Sequence, residues 1–143
     1  MRVTPSIAIV LLLASLAGEA GAAPPAPKHS IVGNWTFEMP NTKCSETYAF
    51  RPDGTATATS GEEKAETKYE ISAAPSAKGF YKLSQTIAKD NGKKDCSGQI
   101  TELGTKSTNY IRFDPSGEAF VVCQSESIDS CVGPVIRVPA KKS

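Results

Sequence analysis

Cys44, Cys96, Cys123 and Cys131 are the side chains of this sequence with the most chemistry open to them. A thiol can ligate a metal, act as a nucleophile or oxidise to a disulfide, and spacing separates these fates. No Cys-x-x-Cys occurs, and the single histidine, His29, sits in a proline-rich stretch. Neither a four-ligand zinc site nor a redox dithiol is offered. With His29 expected outside the folded body, a His-dependent triad has no base, and no Gly-x-Ser-x-Gly occurs. Gly-rich phosphate loops are missing as well. No catalytic residue, metal ligand or cofactor is therefore expected, and the four cysteines read as two disulfides. Cys123 and Cys131 flank a polar loop, Gln124 to Ser130, between two strand-like runs, where hairpin neighbours reach bridging distance. Cys44 then pairs with Cys96.

Disulfides need an oxidising compartment, and the first residues read as a route to one. Arg2 supplies a positive start, Ile7 to Leu16 an apolar run, and Ala20-Gly21-Ala22 a small-x-small cleavage site, so residues 1–22 are expected to be a signal peptide. The apolar run falls short of the roughly 20 residues that cross a bilayer, and no later segment approaches that length. The mature chain is expected in the periplasm or secreted, without membrane insertion. Residues 23–30 form a Pro-rich tail, residues 31–138 one folded domain, and residues 139–143 a short C-terminal tail. The formal charge of +1 comes from interspersed lysines and acids, a solvated surface with no basic stripe for nucleic acid. A monomer is expected.

The elements that position these residues are short and alternating. Ile31, Gly33, Trp35 and Phe37 share one face of a first strand, and Tyr48 and Phe50 one face of a second. Thr55 to Ser60 is a third, built from small residues throughout. Tyr69 and Ile71 mark the fourth, and Tyr81, Leu83 and Ile87 the fifth. Ile111 and Phe113 lie opposite Tyr110 and Arg112 on the sixth. Phe120 to Val122 and Val132 to Val138 are the seventh and eighth. Pro-Asp-Gly at 52–54 and Pro-Ser-Gly at 115–117 are hairpin turns whose glycine takes the left-handed position. No apolar pattern of period 3.6 persists for three turns, so little helix is expected. The long connection from Asp90 to Lys106 contains Cys96 and is expected to be tied down by it.

Eight strands with mostly hairpin-length links close either as a two-sheet sandwich or as an up-and-down barrel. The barrel leaves no exposed edges, and with eight strands its interior is either filled by side chains or holds one small ligand. The expected fold is all-β, an eight-stranded antiparallel up-and-down barrel stabilised by two disulfides. Trp35 caps its core, with Arg137, in preference to Arg112, packed on it at the barrel end. Tyr48, Phe50, Tyr69, Tyr81, Ile111 and Phe113 line the interior together with Trp35.

Gly33-Asn34-Trp35 resembles the opening of the first strand in lipocalin-like (calycin) barrels. Thr108-Asn109-Tyr110 is similar to their Thr-Asp-Tyr motif, and Arg137 to the arginine that packs over their tryptophan. That resemblance implies an exported, non-enzymatic barrel binding a small hydrophobic or amphipathic molecule. Gly33-Asn34-Trp35 followed by Cys44 also resembles the exported serralysin-type metalloprotease inhibitors, whose N-terminal tail enters the protease cleft. The alternative is thus a periplasmic proteinaceous inhibitor of a secreted hydrolase. The two separate on the tail. An inhibitor needs residues 23–30, whereas a cup-type binder uses them as a spacer and keeps its activity when the chain starts at Ser30.

Overall fold

The computed structural model describes residues 29–140. The leader expected over residues 1–22, most of the Pro-rich tail and residues 141–143 lie outside the described residues. The strands are β1 (Gly33–Glu38), β2 (Ser45–Phe50), β3 (Thr55–Ser60), β4 (Glu63–Ile71), β5 (Tyr81–Asp90), β6 (Lys106–Phe113), β7 (Ala119–Cys123) and β8 (Cys131–Val138). Each pairs antiparallel with its chain neighbour, and β1 pairs with β8, so the sheet closes into an eight-stranded up-and-down barrel. The closing ladder sets Trp35 opposite Arg137. A short 3-10 turn, Ile128–Ser130, is the single helical piece among the described residues.

The turns form as their side chains dictate. Asp53 accepts the Thr55 N–H at 2.9 Å, and Asp114 accepts the Gly117 N–H at 2.8 Å. Gly54 and Gly117 then take φ of 80° and 78°, the left-handed region that glycine enters without penalty. Both disulfides form as the spacing predicts. Cys44–Cys96 has a Cα separation of 5.8 Å, and Cys123–Cys131 joins direct register partners.

Two strands run longer than their apolar pattern. β4 starts at Glu63, ahead of Tyr69, and β6 at Lys106, ahead of Tyr110. The inward side of β4 begins Glu63, Ala65, Thr67 before reaching Tyr69, so half of its buried face is not apolar and reads as loop.

The barrel has two chemically different ends. The Trp35 end holds the core: Ile31, Trp35, Phe50, Ala56, Tyr69, Leu83, Ile111, Phe113, Phe120 and Val135 form one buried cluster. The other end carries both disulfides and the 91–105 loop. Cys96 reaches from that loop to Cys44, and its N–H donates to Ser60 Oγ at 3.0 Å.

Candidate functional site

Trp35 is fully buried, and its indole N–H donates to the Ile31 carbonyl at 2.7 Å. Phe120 packs edge-on at 4.6 Å between ring centroids. The Arg137 guanidinium lies over the indole, 4.1 Å from its centroid. That guanidinium also donates to Val32 O (3.0 Å), Ser30 O (2.8 Å) and Gly117 O (3.2 Å). Gly33 makes this placement possible. A Cβ there would fall 2.6 Å from Arg137 Nη1, and its φ of 134° already disfavours a side chain. The Gly-x-Trp pattern is thus a steric requirement of the arginine clamp. Arg112 is elsewhere, over the Phe80 ring.

Above this core a recess of about 320 Å³ opens at the barrel mouth, between the lead-in to β1, the 51–54 turn and the loop after β4. Tyr69, Tyr81 and Phe113 line it, joined by His29, Ile31 and Ile71. His29 stacks on Phe113 at 5.5 Å with 23° between the rings, and Tyr81 meets Phe113 at 80°. No lysine, arginine or carboxylate lines the recess. It lies near the lower limit of small-molecule sites, which run from about 300 to 1,000 Å³ and are mostly apolar.

The residues expected to line the interior therefore divide. Tyr69, Tyr81 and Phe113 face the mouth recess. Phe50 and Ile111 lie beneath it with Trp35 as packing, with Phe50 edge-on to Tyr69 at 5.1 Å. Tyr48 turns the other way, its hydroxyl donating to Glu46 Oε2. Burial, that hydrogen bond and the nearby Glu46 and Glu63 charges all push the Tyr48 phenol up from its ordinary value. His29 is the residue that sequence reasoning misplaced. Expected outside the folded body, it forms part of the recess wall, because the arginine clamp holds Ser30 at the barrel rim and carries its neighbour onto Phe113. Nothing in its proline-rich surroundings signalled this.

A larger depression, about 900 Å³, crosses the outer wall and is lined by Lys68, Glu70, Ser84, Thr86, Lys106 and Thr108. These are the outward alternates of β4, β5 and β6. Neither ion pair among the described residues involves these side chains, so the aromatic mouth is the better candidate.

The disulfide end has polar contents instead. Glu46 accepts the Ser60 hydroxyl at 2.7 Å as well as Tyr48. Glu63 is 8% exposed, and its Oε1 has no hydrogen-bond partner. Burial pushes the Glu63 carboxyl above its ordinary value. A hydrogen bond from the Thr101 hydroxyl opposes that shift, while the charge of neighbouring Asp90 and a hydrogen bond with its carboxyl add to it. A carboxyl raised in the folded state contributes stability below its ordinary value of 4.5, and that contribution is lost as pH rises through the folded value. Glu63→Gln is therefore expected to raise the melting temperature at pH 7, by an amount equivalent to about 1 kcal/mol, the lower range for an unsatisfied buried group. The gain should vanish below pH 4.5. Thermal melts of both proteins from pH 3 to 8 check this, and equal curves at pH 7 would refute it.

Comparison with protein-family models, with curated proteins and with solved structures finds no match to this chain. The eight-stranded barrel is compatible with the lipocalin-like resemblance.

Proposed function

We propose that this protein is an exported, non-enzymatic binder of a small hydrophobic or amphipathic molecule, held at the aromatic mouth of the barrel. The observation that carries the reading is the 320 Å³ recess walled by His29, Tyr69, Tyr81 and Phe113 with no charged carboxylate, lysine or arginine in its lining. Such a surface gains by desolvating an apolar ring and has little to offer an anion. The rigidity of the Trp35 end, clamped by Arg137, holds the walls in place before a ligand arrives, which lowers the entropic cost of binding.

The uncharged fluorophore N-phenyl-1-naphthylamine tests it. Saturable binding at one molecule per chain is expected, weakened about tenfold by Tyr81→Ala, the loss of one aromatic wall. A chain starting at Ser30 should fold, since the clamp keeps its Ser30 contact, yet bind less tightly without the His29 ring. Binding that ignores Tyr81→Ala would overturn the mouth as the site.

A second reading, the inhibitor of a secreted hydrolase, draws on one feature. Val132, Ile136 and Val138 are 60%, 42% and 42% exposed along the outer face of β8. An exposed apolar stripe is a common mark of protein–protein contact. Val132→Ser/Ile136→Ser should abolish hydrolase inhibition if this reading holds, and leave fluorophore binding untouched if the first does.

A further inference from the structure

The lysines interspersed along the sequence are not spread evenly over the barrel. Residues 29–140 contain twelve Lys and Arg side chains against fourteen carboxylates. Alternation exposes Lys64, Glu66, Lys68 and Glu70 on the outer face of β4. Lys82 and Lys89 are exposed on β5, and Lys106 and Arg112 on β6. The outer wall of these three strands thus carries six cations against two carboxylates, and the rest of residues 29–140 six against twelve. One ion pair lies on the wall, Lys89 to Glu66 at 2.9 Å. The other among the described residues, Arg137 to Glu118, is elsewhere, so five of the six cations have no carboxylate partner.

The ladders set these groups in rows. Lys68 pairs with Thr86, and Thr86 with Lys106, so two ammonium groups flank a hydroxyl across three strands. Their Cα atoms stand about 10 Å apart, two strand spacings. The next outward row is Glu70, Ser84 and Thr108, and beyond it Lys82 pairs with Tyr110. The depression of about 900 Å³ covers the first two rows, with Glu70 and Asp53 the carboxylates in its lining.

We propose that this wall binds an acidic polysaccharide, a chain of sugars with a carboxylate on each unit. Charge complementarity selects the wall, since a polyanion is attracted there and repelled by the acidic remainder of the surface. Ser84, Thr86 and Thr108 can donate to and accept from sugar hydroxyls between the charged contacts. An anionic membrane fits less well. The exposed large apolar side chains, Ile100, Leu103, Ile128, Val132, Ile136 and Val138, all lie off the wall, so no apolar anchor there enters a lipid layer. Single-stranded nucleic acid needs stacking platforms, and Tyr110 is the one aromatic on the outward face of β4, β5 and β6. The wall is outside the barrel, so its occupancy is independent of what the aromatic mouth holds.

Isothermal titration at pH 7 tests the proposal with four probes. They are a hexauronate cut from alginate, uncharged laminarihexaose, an oligothymidylate, and vesicles of equimolar phosphatidylcholine and phosphatidylglycerol. The hexauronate is expected to bind best, with an affinity that falls about tenfold between 50 and 200 mM salt, the slope for two to three released counterions. Lys68→Gln/Lys106→Gln should weaken it about tenfold and flatten the salt dependence. Both side chains are exposed, so the variant should melt with the parent. Glu70→Gln should tighten binding about twofold by removing a like charge. Lys43→Gln/Lys94→Gln, an equal loss of charge on the disulfide-end loops, should leave it within about twofold of the parent. Equal binding of laminarihexaose overturns the proposal, as does tighter binding of the oligothymidylate or the vesicles. So does a hexauronate signal that survives Lys68→Gln/Lys106→Gln, a loss matched by Lys43→Gln/Lys94→Gln, or no signal at all.

Discussion

Replacing Trp35 by alanine is expected to cost about 3–5 kcal/mol of folding free energy, the range for truncating a fully buried large aromatic. The indole is completely buried, with Phe120 edge-on to it and the Arg137 guanidinium over its ring face. Removing the indole opens a cavity and deprives Arg137 of a cation–π contact that contributes on the order of 1 kcal/mol. It also leaves the Ile31 carbonyl without its donor. The melting temperature should fall by roughly 10–20 °C for a domain of this size. Trp35→Phe should recover part of the loss, because it restores ring volume without the N–H. Urea unfolding followed by circular dichroism measures both, and a loss under about 1.5 kcal/mol for the alanine variant would show that Trp35 is not the centre of the core.

Removing the Cys44–Cys96 bridge by a double change to serine should cost about 4 kcal/mol, given the 52-residue separation it closes and the chain-entropy model. The Cys123–Cys131 bridge spans only 8 residues and should cost about 2.6 kcal/mol on the same basis. The larger bridge has a further role, because it holds the 91–105 loop against the barrel through Cys96 and Ser60. Its removal should therefore expose Glu63 to solvent and bring its carboxyl back toward the ordinary value, which carbon NMR of labelled glutamate can follow. The reverse order of stabilities for the two double variants would contradict the loop-closure account.

The architecture was legible because apolar alternation and turn chemistry agreed along most of the chain. Trp35, Phe50, Ile111 and Phe120 each sit on an alternating face, and Pro-Asp-Gly specifies its own turn. The disulfide pairing was legible because one cysteine pair flanks a short polar loop. The polar interior was not. Glu63, Thr67 and Asp90 face inward without being apolar, so alternation reads the first half of β4 as surface or loop. β5 carries one extra residue, Ala88, where Glu66 pairs with Lys89 and Thr67 with Ile87, and this bulge has no glycine to announce it. The aromatic mouth was half visible. Tyr69, Tyr81 and Phe113 came from their strands, whereas His29 is placed by an arginine that arrives more than a hundred residues later.

The arginine clamp bears on the order in which the barrel can be made. Seven of its eight ladders join chain neighbours and can zip up from a hairpin, but β1 must wait for β8. The Arg137–Ser30 contact spans 107 residues, and closing a loop of that length costs about 2 kcal/mol more than closing one of ten. Phe113, Phe120 and Arg137, the groups around the indole, all come from the last third of the sequence. Until they emerge, Trp35 has only its β2 neighbours to pack against and the first strand remains half paired. Contact order of this kind slows folding. The strand synthesised first is consequently the one finished last, and its indole is the natural reporter of the final step.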